Sequence, residues 1–451
     1  MSSVFFRAVI LIAAAVAVPA LAEDALEMKD GVRLPSIATS LPSNGDPGGG
    51  RKMLAERGIT YSFIYTNGLL SNIRGGSRRG TIDQGKLEFM LEADLEKLAG
   101  LRGLKFYSNG FYIHNNGRIR RDYVGGINTI AAIEAVPTTR LSELWLEQQF
   151  ALGQWSVRAG QLAADSKFFF SNLSTMFLQS DWATITASNL PNGGAAYPLS
   201  TPGVHLKFDP TKDVSLLLAV LNGDPAGPGA GDGEDRNRHG LNFRMRDPAF
   251  IIGEMQHRDN QANDATGLAR TVKLGAWAHL GRFDDKRFGN DGRLLADPLG
   301  SGIAAQRRGD AGIYAVIDQQ IYRPAGAGLN NGVSVFSRIS VSPSDRNLIS
   351  TYVDGGIVFA GMIPGRPNDS FGASAIYAKF SESVRQFDRD SALFTGQQIP
   401  IRDFEANLEL TYSAEIVSGW TVQPTLQYVW HPSGVPGRDA TVVGARSIVK
   451  F

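Results

Sequence analysis

The chain has 451 residues, with 45 Lys+Arg against 44 Asp+Glu for a formal net charge of +1, so it lacks the basic excess of a nucleic-acid binder. It contains no cysteine, which excludes disulfides, thiolate metal sites and cysteine nucleophiles. The 51 glycines and 9% aromatics favour an all-β chain with many turns.

Arg7 supplies a basic region, Ala8 to Val18 an apolar core, and Ala20-Leu21-Ala22 an A-x-A site. This is the pattern of a secretory signal peptide over 1–22, with cleavage between Ala22 and Glu23. No later stretch approaches the length of apolar sequence that a transmembrane helix needs, so a membrane location requires strands. Residues 23–58 carry Pro35, Pro42, Pro47 and Gly48-Gly49-Gly50 ahead of a short helical stretch at Arg51 to Arg57. They read as a periplasmic extension or partial plug, and a disordered mature terminus fits them equally.

From Ile59 the side chains alternate. Tyr61, Phe63 and Tyr65 oppose Thr60, Ser62 and Thr66, and Leu87, Phe89, Leu91, Ala93 and Leu95 oppose Lys86, Glu88, Glu92 and Asp94. Phe404 to Tyr412 and Trp420 to Trp430 alternate as regularly. Less regular candidates begin near Leu104, Leu141, Trp155, Gly203, Val214, Phe250, Val272, Ile313, Val333, Thr351 and Phe371. Thr441 to Phe451 ends the series, with Val443, Ala445, Ser447, Val449 and Phe451 on one face and Arg446 and Lys450 on the other. Together they predict a transmembrane antiparallel β-barrel of about 16 strands over 59–451, an even number as bacterial barrels require.

The connections alternate in length. Short links at 96–103, 151–154, 209–213 and 413–419 are expected as periplasmic turns. Long ones at 115–140, 162–202, 222–247, 281–308 and 381–403 are expected as external loops. A barrel this wide has an aqueous lumen unless a loop folds inward.

Several segments resemble the OprB-type carbohydrate-selective porin family: RRGTIDQGKLEFMLEADLEKLAG (78–100), IEAVPTTRLSELWLEQQF (133–150), VRAGQLAADSKFF (157–169), NLPNGGAAYPLSTPGVHLKF (189–208), VLNGDPAGPG (220–229), VSPSDRNL (341–348), Gly361 to Pro367 and FEANLELTY (404–412). The resemblance runs from about Gly58 to Phe451. It implies a passive diffusion channel in the outer membrane of a Gram-negative bacterium, favouring monosaccharides such as glucose, with outer-membrane lipid around it. The final strand ending in Phe451 also resembles the signal read by the barrel assembly machinery.

A sugar presents hydroxyls and C–H faces, so a selective lumen needs charged or amide groups beside aromatic rings, and its binding must stay weak. Glu143, Trp145, Glu147 and Gln149 share one strand face and are the leading sugar-contact candidates. Their plain alternative is a charged wall with no substrate role. Arg158, on the next strand, is expected opposite those carboxylates as part of a constriction. Arg140, Lys105, Lys207, His205, Lys273, His279, Asp318, Arg338 and Asp354 are further wall candidates, and Trp277 is expected in the lumen beside Lys273 and His279. In the long loop, Asp165, Lys167, Phe168, Phe169, Phe170 and Trp182 either form the eyelet or, for most of the phenylalanines, anchor the loop to the wall. Trp420 and Trp430 are expected in the interfacial aromatic girdle.

No enzyme motif stands out. The six histidines show no H-E-x-x-H or other metal spacing, and there is no G-x-S-x-G elbow. No cofactor or metal is expected; Asp224, Asp232, Glu234 and Asp235 could hold calcium, but a solvated acidic loop is the simpler reading. A channel for another small solute such as an organic acid, or an exported soluble carbohydrate-binding β-protein, are the competing readings. The soluble one conflicts with the apolar strand faces, which would aggregate in water.

Overall fold

The computed structural model describes residues 28–180, 182–262 and 265–451; the expected cleavage site at Ala22 and Glu23 lies outside them. Among the described residues, sixteen antiparallel strands close into one barrel. They are β1 (Ile59–Arg74), β2 (Gly80–Asp94), β3 (Leu104–Asn115), β4 (Thr138–Phe150), β5 (Trp155–Leu162), β6 (Thr201–Phe208), β7 (Val214–Asn222) and β8 (Ala249–Asp259). The second half comprises β9 (Arg270–Gly289), β10 (Ala304–Tyr322), β11 (Gly332–Val341), β12 (Ile349–Ala360), β13 (Ser370–Phe380), β14 (Phe404–Val417), β15 (Trp420–Trp430) and β16 (Ala440–Lys450). Each expected segment coincides with a strand. The last pairs with the first, from Thr441 opposite Arg74 to Lys450 opposite Ile64, and this closure leaves no sheet edge to meet hydrocarbon.

Alternation sorts the two faces as the period of two requires. Leu69, Leu146, Leu218, Leu274, Ile313, Ile339, Leu410 and Leu426 are all exposed on the outer face, where they form an apolar belt suited to acyl chains. Rings cluster at both ends of the strands. Trp155 stacks on Phe208 and Phe359 on Phe371 near the short turns, while Tyr428 meets Trp430 and Tyr377 stacks on Phe404 near the long loops. Trp420 and Trp430 stand at opposite ends of β15.

Two expected connections are shorter than the sequence indicates. Half of 281–308 is strand, because β9 continues to Gly289 and β10 begins at Ala304. Above the bilayer both faces are wet, so the apolar stripe disappears although the ladder continues. Buried Asp285 holds Arg307 there at 2.6 Å. Similarly β14 continues to Val417, leaving only Ser418 and Gly419 as a turn. Gly419 has φ +80°, and a Cβ on it would lie 2.2 Å from the Ile37 backbone nitrogen.

The amino-terminal segment sits under this end of the barrel. Met28–Lys29 pairs with Val32–Arg33, and Gly50–Glu56 is a helix. Buried Arg51 donates to the Tyr61 carbonyl at 2.9 Å, and its guanidinium stands over the Tyr61 and Phe451 rings. Arg33 reaches Glu92 of β2 at 2.6 Å.

The lumen is not an open cylinder. Two external loops, 116–137 and 163–200, fold inward. The second packs Phe168, Phe169, Trp182, Ile185 and Leu190 against Leu217, Phe250, Trp277, Tyr314, Tyr352 and Phe380 of the inner wall. The first packs Ile119, Val124 and Ile130 against Leu70, Ile82, Val429 and Val442.

Candidate pore constriction

An inward loop exposes backbone N–H groups that the barrel ladder cannot satisfy, and each one left unpaired in a buried position carries a free-energy penalty. Wall carboxylates meet them. Glu405 accepts the N–H groups of Ile127 and Asn128 at 2.8 and 2.7 Å. Glu409 accepts those of Leu178 and Gln179, both at 2.9 Å. Glu254 takes Phe169 at 2.8 Å and Asp318 takes Asn172 at 2.9 Å, the latter also bonding the Ser171 hydroxyl. Charged residues spaced along the inner strand faces thus act as sockets for loop backbone, with bonds strengthened by the anionic acceptor.

Basic side chains do the same for loop carbonyls. Arg338, 1% exposed, is forked onto Asp354 and donates to the Phe169 carbonyl at 3.2 Å. Lys273 donates to the Phe170 carbonyl at 2.8 Å, with its ammonium 3.7 Å from that ring's centroid.

Several residues expected to line the pore are therefore covered. Trp277 lies inside the barrel but beneath the loop, against Phe250. Trp182 is buried in the same cluster, edge-on to Phe169. His279 is tied to the Gly223 carbonyl at 3.0 Å, and buried Arg140 donates to the Asn237 carbonyl at 3.1 Å near the external rim. Asp165 accepts the Tyr197 N–H at 2.8 Å, bracing the loop on itself. Phe168 and Phe169 anchor the loop rather than forming an eyelet, because their rings meet an apolar inner wall.

On the other side of the lumen the β2–β5 wall carries a different surface. Arg158 holds Glu147 through Nε at 2.9 Å and Nη2 at 2.6 Å, and its guanidinium lies 3.7 Å from the Trp145 centroid. Trp145 stacks on Tyr107 at 4.8 Å. Lys86 reaches Glu88 at 3.0 Å and lies over the rings of Phe111 and Tyr197. Asn109 joins the two layers, donating to Glu88 at 3.0 Å and accepting the Glu143 N–H at 2.7 Å. Glu143 in turn receives the Ala163 N–H of the loop at 3.1 Å. A narrow pocket bounded by Glu143, Arg158, Lys167, Phe168 and His205 lies where loop and wall meet.

Lys86, Glu88, Tyr107 and Trp145 of this wall and Lys167 and Tyr197 of the loop beside it are half-buried, whereas Glu143, Glu147 and Arg158 are buried. The rings and the first charged layer face the open side; the Glu147–Arg158 pair holds them from behind. Glu143, Trp145, Glu147 and Arg158 are brought together as expected. Lys86, Glu88, Tyr107, Asn109 and Tyr197 were not singled out by sequence reasoning, although Lys86 and Glu88 were already on a polar strand face. The loop residue Tyr197 has no such periodic signal.

The external loops are latched to each other. Asp232 accepts Arg118 at 2.9 Å and Arg121 at 2.5 Å, and Glu234 accepts the Val136 N–H at 2.5 Å. Asp224 accepts the Gly227 N–H at 2.8 Å. With Asp235 3.6 Å from Arg238, the four acids named as a calcium candidate serve separate contacts, and among the described residues no group of three or more His, Cys, Asp or Glu side chains is placed to hold a metal ion. Burial raises the Asp232 carboxyl, but the Arg118 and Arg121 hydrogen bonds outweigh it and hold the group below its ordinary range. Burial raises Glu234.

Comparison with known proteins adds to this geometry. The model of the carbohydrate-selective porin, OprB family, matches residues 78–451. Porin B of Pseudomonas aeruginosa is 25% identical over 430 residues, covering 90% of each chain. The high-pH structure of Pseudomonas putida OprB superposes with a TM-score of 0.78 at 20% identity, over 90% of this chain and 97% of that one. The outer membrane channel DcaP of Acinetobacter baumannii shares the fold more distantly, with a TM-score of 0.51 at 10% identity over 87% of this chain and 97% of that one. With sixteen closed strands, an apolar outer belt and a match over most of its length, the chain belongs to the OprB family of carbohydrate-selective porins of the Gram-negative outer membrane.

Proposed function

We propose that the channel passes monosaccharides such as glucose along the β2–β5 wall, where the exposed edge of Trp145, whose faces carry Tyr107 and Arg158, and the Tyr107 ring meet the C–H groups of the sugar and Lys86, Glu88 and Lys167 exchange hydrogen bonds with its hydroxyls. The observation that carries this reading is the stacked Tyr107–Trp145 pair set among half-buried charges of both signs. Opposed charges leave no strong net field, which suits a neutral polyol, and contacts to half-wet groups stay weak enough for release. In this reading Glu143, Glu147 and Arg158 position the contact groups, while Arg140, Asp165, Trp182, Trp277, His279 and Arg338 fix the loop that narrows the passage.

Competition in single channels tests it. Glucose should produce current interruptions that an equal concentration of a small carboxylate does not, and stronger interruption by the carboxylate would favour an organic-acid channel. The outer belt is taken to face outer-membrane lipid, and the Phe451-terminated strand to be read by the barrel assembly machinery. Normal outer-membrane yield after removal of Phe451 would count against the second point.

A further inference from the structure

A second open space lies below the inward loop, toward the periplasm. This cavity of about 310 Å³ is bounded by Asn172 and Met176 of the loop, by Glu415, Gln423 and Arg446 of the wall, and by Pro35 of the amino-terminal segment. It shares no lining residue with the pocket beside Glu143 and Arg158.

Its groups are set out as a ring of hydroxyls requires. Asn172 commits its backbone N–H to Asp318, while its exposed side-chain amide has no partner among the described residues. Arg446 spends Nε and Nη2 on Gln423, with Nη2 also reaching the Met176 carbonyl at 3.0 Å, which leaves Nη1 as a donor. Glu415 takes Asn368 on Oε1 at 2.7 Å and keeps Oε2 as an acceptor. Met176 supplies an apolar patch for a C–H face. The cavity thus offers an amide, a cationic donor, an anionic acceptor and a greasy surface, with the two charged groups held by bonds made behind them.

The amino-terminal segment completes the wall. Ser36 donates its hydroxyl to the Lys450 carbonyl at 3.4 Å, and the bare Gly419 lets the Ser36 and Ile37 backbone approach, which brings the neighbouring Pro35 to the cavity.

We propose that this cavity is a second monosaccharide-binding site at the channel exit, in series with the β2–β5 constriction. The proposal rests on the sugar-channel reading above and adds a place to it. Two weak sites in succession let a solute leave the narrow one without having to enter bulk water in one step, which is how binding and flux coexist in a pore.

The test uses the full-length channel, oriented in planar bilayers, with glucose added to one side at a time and binding read from current noise. Asn172→Ala keeps the backbone bond to Asp318, and circular dichroism checks that the barrel is formed. For glucose added on the periplasmic side, apparent affinity should fall by roughly threefold to tenfold, the effect of one lost hydrogen bond, with a smaller change for external addition. Asn172→Trp, which fills the cavity, should remove the periplasmic-side component. Unchanged affinity from the periplasmic side in both variants, or equal shifts from both sides, would overturn the proposal. If the unmodified channel shows no glucose-dependent noise from either side, the sugar-channel reading itself fails and this site falls with it.

Discussion

Arg158 stands over Trp145, its guanidinium carbon 3.7 Å from the ring centroid, while its Nε and Nη2 donate to Glu147. One side chain thereby neutralises a buried carboxylate and sets the plane of the ring in front of it. Arg158→Ala should leave Glu147 buried without its ionic partner, only Gln149 still donating to it at 3.4 Å, at a cost of about 3–5 kcal/mol, seen as a lower thermal unfolding midpoint in detergent. Arg158→Lys restores the charge but not the planar fork or stack. It should recover much of the stability while glucose binding stays weak. Recovery of both would show that ring orientation is immaterial.

Trp145 is the ring we expect a sugar to meet. Trp145→Ala should lower glucose affinity by about fivefold, corresponding to about 1 kcal/mol of aromatic contact, and should raise ionic conductance by widening the passage. Current-noise analysis reads both quantities together. Wider conductance with unaltered affinity would place the sugar elsewhere on the wall.

The loop sockets make a separate prediction. Glu409→Ala orphans the N–H groups of Leu178 and Gln179, at about 1–3 kcal/mol each when they remain buried. The loop should relieve this by moving, so single-channel conductance should rise and fluctuate. A conductance identical to that of the unmodified channel would mean that apolar packing alone holds the loop.

Much of this barrel was legible because period-two alternation is a local property. Glu405, Asn407 and Glu409 fell on the inner face by counting alone, as did Lys86 and Glu88. What met them was not legible, since Ile127 and Leu178 lie hundreds of residues or many strands away and their backbone N–H groups carry no side-chain signature. The same gap explains Trp277 and His279: their inward direction follows from Lys273 and its alternation, but burial beneath 163–200 depends on tertiary packing. The hairpin above the bilayer was read as a loop because Arg282, Asp284 and Asp285 remove the apolar stripe, although the strand pairing resumes past two register shifts to Gly289 opposite Ala304.

The latch between the external loops should respond to pH with two opposite signs. Asp232 is held below its ordinary 3.8, so its contribution is complete above that value and is lost only as pH falls through the depressed folded value. Glu234 is raised above its ordinary 4.5 by burial, so its ionisation weakens the latch as pH climbs from there through the raised value. At neutral pH, Asp232→Asn should speed hydrogen exchange in 116–137, whereas Glu234→Gln, which can still accept from Val136, should slow it. Equal effects of the two variants would contradict this division.

Two loops pinned to wall carboxylates should leave a narrow passage that suits neutral sugars. Liposome swelling with the purified, refolded channel tests it most directly. Glucose should enter readily and faster than a gluconate salt of similar size, and Glu409→Ala should erode the difference. Vesicles that fail to swell in glucose, or that swell faster in gluconate, would contradict it.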